Sequence, residues 1–179
     1  MSMPLSSSKQ NRIKYYVPGQ APQRLDTIDS RPEKISNSVL WISLSDPNVA
    51  ELERLLPQFT LQQRVIEEMQ TKHRRPKVEE YEGLSLVVAI TFTAEQGVLR
   101  FGETQLLFGD GFLISVWRNT ELTDQEIQGY LEESPDLIAR GADYIAAEIL
   151  DFITDDYTQE SCRKSRNAFF CRQVAKKGY

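Results

Sequence analysis

The sequence predicts an α/β fold of the α+β kind: an α/β/α sandwich in which helices flank a mixed parallel and antiparallel central sheet. Three observations predict it. The first half of the chain contains both short apolar runs and stretches with helical spacing. A β-rich section covers residues 84–117, and apolar residues in the last third of the chain recur with helical spacing. With 179 residues, of which 40% are hydrophobic and 26% charged, the chain is long enough to bury one sizeable core.

The predicted strands are short apolar runs bounded by turn residues. Residues 84–93 are apolar at both alternating sets of positions, as expected of a strand that is covered on both faces. Glu95-Gln96-Gly97 indicates a turn, and Gly109-Asp110-Gly111 indicates a hairpin. The six predicted strands cover residues 12–17, 39–44, 84–93, 98–101, 104–108 and 112–117.

Two helices are predicted between the second and third strands. Asp46 followed by Pro47 indicates a helix start, with Asp46 as the N-cap and the proline at the first position. Pro57 is expected to end that helix, because proline lacks the backbone N–H and clashes with the preceding turn. Thr60 is expected to cap a second helix, which stops before Pro76.

Two more helices are predicted in the last third of the chain. Thr123 is expected to cap the first of them, with Glu126 three residues later completing a capping box. The break at residues 134–136 separates it from a helix that begins near Asp143 and continues to Tyr157 or beyond. The core-facing stripe of that last helix consists of Ile145, Ile149, Phe152 and Ile153.

Bulk properties exclude several classes of protein. The net charge of −5 and a pI near 5.1 argue against nucleic-acid binding, which usually needs a basic surplus, and they are compatible with cation binding. The longest clear apolar run, residues 86–90, is far shorter than the ~20 residues of a membrane-spanning helix. The sequence indicates no signal peptide. It also indicates no disulfide scaffold, because Cys162 and Cys171 both lie in the tail. We therefore expect a soluble chain in the cytosol.

Three stretches of the chain together resemble one family. They contain a strand that leads into a capped helix, an Arg-Pro-Lys-Val-Glu segment that follows an acidic pair, and an acidic helix near the end. The stretches are Trp41 to Pro47, Ile66 to Glu68 with His73 to Tyr81, and Arg140 to Tyr144 with Ile149 to Asp151 and Asp155 to Tyr157. Together they look like the amino-terminal cytoplasmic domain of the CorA family of magnesium channels, over roughly residues 39–157.

The resemblance implies both a fold and a function. In the family this domain is an α/β/α sandwich, and five copies form a funnel on the cytoplasmic side of the cell membrane. Divalent ions bind between neighbouring subunits and keep the channel closed when internal magnesium is plentiful. The family's acidic pair falls on Glu67 and Glu68, where Glu68 replaces a common aspartate, and a further carboxylate falls on Asp151. The implied ion is Mg²⁺, with Co²⁺, Ni²⁺ or Zn²⁺ as alternatives.

The end of the chain departs from the family. The resemblance predicts a leader and first strand in residues 1–35, the metal-sensing domain in residues 36–157, and then an acidic stalk, two membrane helices and a Gly-Met-Asn signature. Residues 158–179 instead form a basic tail, so the membrane segments are expected to be missing from this chain, as is the stalk's partner aspartate. Such a chain is expected to sense ions without transporting them.

Helical geometry supplies a separate argument about the acids. Each residue turns a helix by about 100°, so Glu67 points nearly opposite Val65, and Glu68 lies at the rim of the apolar stripe. Glu148, Asp151 and Asp155 share one helix face, where their mutual repulsion would be relieved by a cation. Spacing alone is equally typical of a solvated helix face, and for Glu148 and Asp155 it is the only argument.

Enzymatic activity has little support in the sequence. His73, the one histidine, stands in a basic segment next to a proline, and no serine or cysteine nucleophile is placed to use it. A loop or helix-end role is the more common one for such a histidine. Besides the magnesium channel domain, the sequence leaves open a domain of a related zinc, cobalt or nickel transporter and a free-standing soluble metal-responsive module.

Overall fold

The structure is a computed structural model that describes residues 12–27, 32–95, 98–120, 122 and 124–164. Seven strands form one sheet in the order β2-β1-β3-β7-β6-β5-β4. Neighbouring strands are antiparallel except for β3 and β7, which run parallel, so the sheet is mixed as predicted. The strands are β1 Arg12–Tyr16, β2 Gln23–Leu25, β3 Val39–Ser45, β4 Lys77–Tyr81, β5 Leu84–Glu95, β6 Val98–Gly109 and β7 Phe112–Arg118.

Two differences from the predicted strands affect the site. β2 and β4, which are both edge strands with few consecutive apolar residues, were not predicted. β6 was predicted as two strands separated at Gly102-Glu103, whereas it runs without interruption from Val98 to Gly109. Of the predicted turn Glu95-Gln96-Gly97, Glu95 ends β5 and the other two residues lie outside the described residues. The predicted hairpin Gly109-Asp110-Gly111 joins β6 to β7.

The described residues form six helices in two groups, one before β4 and one after β7. The predicted break at residues 134–136 is confirmed only at Ser134. This residue separates α4, which ends at Glu133, from a short α5 that begins at Pro135. Thr123, the predicted cap of α4, lies outside the described residues. The helices are α1 Val49–Glu53, α2 Leu56–Phe59, α3 Gln63–Gln70, α4 Gln125–Glu133, α5 Pro135–Ile138 and α6 Ala142–Lys164.

The predicted caps of the first two helices were wrong. Asn48 rather than Asp46 caps α1, and it forms a reciprocal capping box with Glu51. Asp46 instead adopts a left-handed conformation, with φ of 46°, and its side chain accepts the N–H of Asn119 after β7. Thr60, with φ of 53°, ends α2 instead of starting α3. Pro57 lies in the first turn of α2, where its missing N–H costs nothing.

Two hydrophobic cores lie on the two faces of the sheet. On the first face, α1, α2 and α3 cover residues such as Ile42, Leu86 and Ile114. On the second face, α4, α5 and α6 cover residues such as Trp41 and Leu113. The chain is therefore the α/β/α sandwich that the sequence predicted. The expected stripe of α6 is confirmed, with Ile145, Ile149 and Ile153 buried and Phe152 partly buried.

The first strand belongs to the body of the sandwich. β1 pairs with both β2 and β3, and its side chains enter both cores, Tyr15 on one face and Tyr16 on the other. The division of the chain at residues 35 and 157 stays a prediction. No helix in the described ranges combines the length and the apolar character that crossing a membrane would require.

Candidate divalent-cation site

The predicted acids lie on two helices that pack on opposite faces of the sheet. Glu67 and Glu68 belong to α3, whose apolar side chains Val65, Ile66 and Met69 enter the first core. Asp151 belongs to α6, which covers the second core. Because the whole sheet separates these two helices, one protomer does not bring Asp151 together with the pair on α3.

Three of the predicted carboxylates are exposed and lack a cationic partner. Glu67, Asp151 and Asp155 point to solvent, and within the described parts of the chain no lysine, arginine or histidine forms an ion pair with them. Asp151 and Asp155 are one helical turn apart, so their charges repel each other. Within the described residues, these three charges are therefore not compensated by a basic side chain.

Glu68 has a different environment from Glu67. One oxygen of its carboxylate lies 2.7 Å from Nε2 of His73 and also accepts a hydrogen bond from Nζ of Lys77. The hydrogen bond from His73, and then that from Lys77, lower the pKa of Glu68. The hydrogen bond to Glu68, and then that to Glu79, raise the pKa of Lys77 to about 12. The charge of Glu68 is thus already compensated inside one protomer.

The polar chain from Glu68 continues along β4. Lys77 Nζ lies 2.7 Å from an oxygen of Glu79, and the Tyr81 hydroxyl donates to the other oxygen of that carboxylate. Burial, and secondly this hydrogen bond, raise the pKa of Tyr81 to about 12. Arg64 of α3 stacks over the Tyr81 ring at 5.0 Å from its centroid. Contacts of Arg64 near the start of α3 and of Glu68 near its end therefore link this helix to the edge strand β4.

Glu148, which like Asp155 is a candidate by geometry alone, has a partner one turn earlier. A hydrogen bond to Glu148 is the largest cause of the raised pKa of the Tyr144 hydroxyl. The Tyr144 ring in turn lies 4.8 Å from the guanidinium of Arg140. Of the three acids predicted to share a face of α6, Glu148 is thus partly engaged, whereas Asp151 and Asp155 have no ion-pair partner among the described residues.

A buried ionic group below α3 was not predicted from the sequence. Glu103 of β6 has a side chain only 3% exposed, and it accepts the backbone N–H of His73 at 2.8 Å and the Gln105 amide at 3.0 Å. Nε of Arg118 lies 3.4 Å from Glu103, and the same guanidinium donates to the carbonyl of Met69 at 3.0 Å. Arg118 therefore neutralises a buried acid and binds a carbonyl near the end of α3.

These contacts determine what the arrangement can do chemically. In the described residues, no three metal-binding side chains of one protomer come close enough to hold an ion. A carboxylate that acts alone on an exposed helix attracts a hydrated ion, and Mg²⁺ commonly keeps several of its waters in proteins. The described surface thus carries two separate groups of exposed carboxylates, Glu67 on one face and Asp151 with Asp155 on the other.

Comparison with solved structures identifies the class of protein that has this fold. The structure resembles the complete CorA magnesium transporter of Methanocaldococcus jannaschii, with a TM-score of 0.67, 17% identity and coverage of 94% of this chain and 52% of that one. It also resembles the soluble domain of that CorA (TM-score 0.62, 18% identity, coverage 82% and 57%). The ZntB cytoplasmic domain from Vibrio parahaemolyticus RIMD 2210633 is similar too (0.59, 12%, 83% and 61%). The fold is therefore that of the soluble domain of a CorA-type transporter.

The family model described as CorA-like Mg²⁺ transporter protein matches residues 36–161, which is more than half of the chain. The chain therefore belongs to the CorA-like Mg²⁺ transporter family, as its resemblance predicted. A search of curated proteins found no match. The chain spans about half of the length of the complete CorA structure. The family consists of transporters of Mg²⁺ and related divalent cations, which agrees at that level with the expectation that the chain is not an enzyme.

Proposed function

We propose that this chain is the cytoplasmic regulatory domain of a CorA-type magnesium transporter, and that it senses intracellular divalent cation where subunits meet. Membership of the family supports a role in magnesium transport. The observation that carries the sensing role is a pair of exposed acids with no ion-pair partner among the described residues: Glu67 on α3 and Asp151 on α6, on opposite faces of the sandwich. Each would form one half of a site between neighbouring copies.

The positions of Glu67 and Asp151 on opposite faces of the protomer favour a head-to-tail assembly. Two acids on opposite faces of one protomer approach each other when the α3 face of one copy contacts the α6 face of the next. Such head-to-tail contacts are heterologous, and they produce closed rings when the rotation between copies is suitable. A homopentamer is one such ring. A hydrated Mg²⁺ between Glu67 of one copy and Asp151 of its neighbour would complete both half-sites at once.

The same geometry supports a gating mechanism. With the ion bound, the two carboxylates are held together through its positive charge and its waters. Without the ion, like charges face each other across the contact and repel, by about 1 kcal/mol per pair at 4 Å in water and by more where the contact excludes water. Loss of intracellular Mg²⁺ would then loosen the ring, which in the full-length transporter would favour opening.

Glu68 has a conditional role in this proposal. Its carboxylate already binds His73 and Lys77, so an ion would have to displace Lys77 before it could bind Glu68. Glu67 therefore supplies the first carboxylate on α3. Glu68, whose charge is compensated, instead links α3 to β4 through Lys77.

The choice of ion is the second part of the proposal. Carboxylates are hard oxygen ligands that suit Mg²⁺ and also accept other divalent metals. The fold resembles that of CorA and that of ZntB to a similar degree, with TM-scores of 0.62 and 0.59 for the two soluble domains. Mg²⁺ is the ion that we propose, and Co²⁺, Ni²⁺ and Zn²⁺ are the alternatives to compare with it.

The experiment measures association and thermal stability of the chain as Mg²⁺ is titrated from zero to several millimolar. We expect Mg²⁺ to increase the sedimentation coefficient and to raise the midpoint of thermal unfolding. Glu67→Gln and Asp151→Asn should each weaken both responses. Glu53→Gln is the matched control, because Glu53 is an exposed glutamate on the neighbouring helix α1.

Two results would contradict the proposal. If Glu67→Gln responds to Mg²⁺ as strongly as Glu53→Gln does, Glu67 is not a ligand. If the wild-type chain stays monomeric and its unfolding midpoint is indifferent to Mg²⁺, Co²⁺, Ni²⁺ and Zn²⁺, the chain is not an ion-sensing domain of this kind. A monomer that still binds ions would instead favour a free-standing metal-responsive module.

A further inference from the structure

A cavity of about 700 Å³ opens beside the buried Glu103–Arg118 pair, between the segment that follows α3 and the middle of β6. Its volume is in the range of pockets that bind small organic molecules. Its wall combines three apolar side chains, Pro76, Ile90 and Phe101, with cationic groups. The cavity is separate from the exposed carboxylates of Glu67 and Asp151.

The charges around this cavity favour an anion. Lys72 and Arg74 stand on its rim, both are exposed, and neither has an ion-pair partner in the part of the chain that the structure describes. The one acid in the wall, Glu103, is already neutralised by Arg118. Two uncompensated cations therefore face the opening, and guanidinium and ammonium groups are the side chains that bind phosphate.

The apolar side of the cavity favours a ligand in which a planar ring is attached to the anionic group. Phe101 is 59% exposed, which is unusual for a phenylalanine within a strand of the sheet. Its ring lines the same cavity as Lys72 and Arg74, together with Ile90 and Pro76. An exposed aromatic ring next to free cations is the combination that stacks a nucleobase while the cations bind its phosphates.

We propose that this cavity binds a nucleoside diphosphate, with the base against Phe101 and the phosphates at Lys72 and Arg74. The site is linked to α3, because His73 also lines the cavity and its Nε2 lies 2.7 Å from Glu68. Occupancy of the cavity therefore stabilises the Glu68–His73 contact and the end of α3. Any effect on ion sensing rests on the function proposed above, whereas the binding itself does not.

Binding is measured by isothermal titration calorimetry with ADP, in EDTA so that no metal contributes. Adenosine and inorganic pyrophosphate serve as probes of the two halves of the ligand. We expect ADP to bind more tightly than either half. Lys72→Gln with Arg74→Gln should weaken ADP binding by about tenfold or more, and Phe101→Ala by about tenfold.

Matched controls separate the site from general surface effects. Arg24→Gln removes an exposed cation on β2, four strands from β6, and Tyr130→Ala removes a half-exposed aromatic ring on α4. Both should leave ADP binding unchanged. Absence of ADP binding at millimolar concentration would overturn the proposal. So would equal affinity for ADP and pyrophosphate, or equal effects of the cavity and control variants.

The proposed link between the cavity and α3 is tested separately by hydrogen–deuterium exchange. Deuterium uptake of the amides of residues 67–77 should fall when ADP binds to the wild-type chain, again without metal. Phe101→Ala should abolish this change at the same ADP concentration. If ADP binds but uptake in this segment does not change, the link through His73 is wrong. Because metal is absent throughout, failure of this test is distinguishable from failure of the Mg²⁺ response.

Discussion

Nε2 of His73 lies 2.7 Å from a carboxylate oxygen of Glu68, five residues earlier in the chain. This contact joins the end of α3 to the segment that leads into β4, and Lys77 reinforces it from the strand. The residue that the resemblance assigns to an ion is therefore also a structural link within the protomer. Separating these two roles requires measurements of stability as well as of ion binding.

Glu68→Gln should change how stability depends on pH. The hydrogen bonds from His73 and Lys77 lower the pKa of Glu68 in the folded chain. A lowered pKa means that the ionised carboxylate stabilises the folded state above the pKa of the unfolded chain, and this stability is lost as the pH falls through the lowered value. We expect Glu68→Gln to be less stable than wild type at pH 7, with the difference disappearing at acid pH. Urea unfolding from pH 7 to pH 3 measures it, and a constant difference over that range would contradict the prediction.

Arg118→Gln should strongly destabilise the fold. The substitution leaves the buried Glu103 without its positive partner and removes the donor to the Met69 carbonyl. Loss of one partner of a buried ion pair typically costs about 3–5 kcal/mol. The free energy of unfolding in guanidinium chloride checks this. The double variant Glu103→Gln with Arg118→Gln should cost less than the two single losses added together, because the uncompensated charge is gone.

Gly102→Ala should also destabilise, for a steric reason. A Cβ at residue 102 would lie 2.5 Å from the carbonyl oxygen of Asn119 and 2.7 Å from that of Arg118, so the backbone of β6 would have to move. Strain of this kind typically costs about 1–3 kcal/mol. Gly129→Ala is the control, since a Cβ there has no atom within 4 Å and alanine is favoured in a helix. We expect thermal unfolding to shift down for the first variant and slightly up for the second.

Asp151→Asn with Asp155→Asn should stabilise the chain when no divalent ion is present. Like charges one helical turn apart cost about 0.2–0.5 kcal/mol, and the effect is screened by salt. The midpoint of thermal unfolding in EDTA should therefore rise at low ionic strength and should return towards the wild-type value in high salt. Asp136→Asn, which removes an exposed acid from α5, should have no such salt-dependent effect. A rise that is independent of salt would indicate a cause other than repulsion.

The sandwich was predictable because its signals are local. The apolar runs of β3, β5 and β7 and the spacing of Ile145, Ile149 and Ile153 determine which side faces a core. β4 was missed because Lys77, Glu79 and Glu80 give it the composition of a loop, although pairing with β5 and the Lys77 ion pairs hold it in the sheet.

The buried ion pair of Glu103 and Arg118 depends on contacts between residues that are distant in the sequence. Glu103 was interpreted as part of a break between two strands, since a glutamate and a glycine interrupt an apolar run. Its burial depends on Arg118 and on the N–H of His73, which no local pattern shows. A charged residue inside an otherwise apolar strand was the one available signal. Glu68 was placed on the correct helix, but its bonds to His73 and Lys77 follow from where the next strand begins.

The parallel pairing of β3 with β7 also constrains how the chain is made. Leu40 lies opposite Phe112 and Ser45 opposite Trp117, so the middle of the sheet joins residues that are far apart in the chain. Contacts of this kind form slowly, because a long loop must close first. A nascent chain that has not yet extended beyond Arg118 leaves one edge of β3 without a neighbour. Until β7 is made, the apolar strand β3 therefore has an unpaired edge, the feature that makes a partly folded chain prone to aggregation.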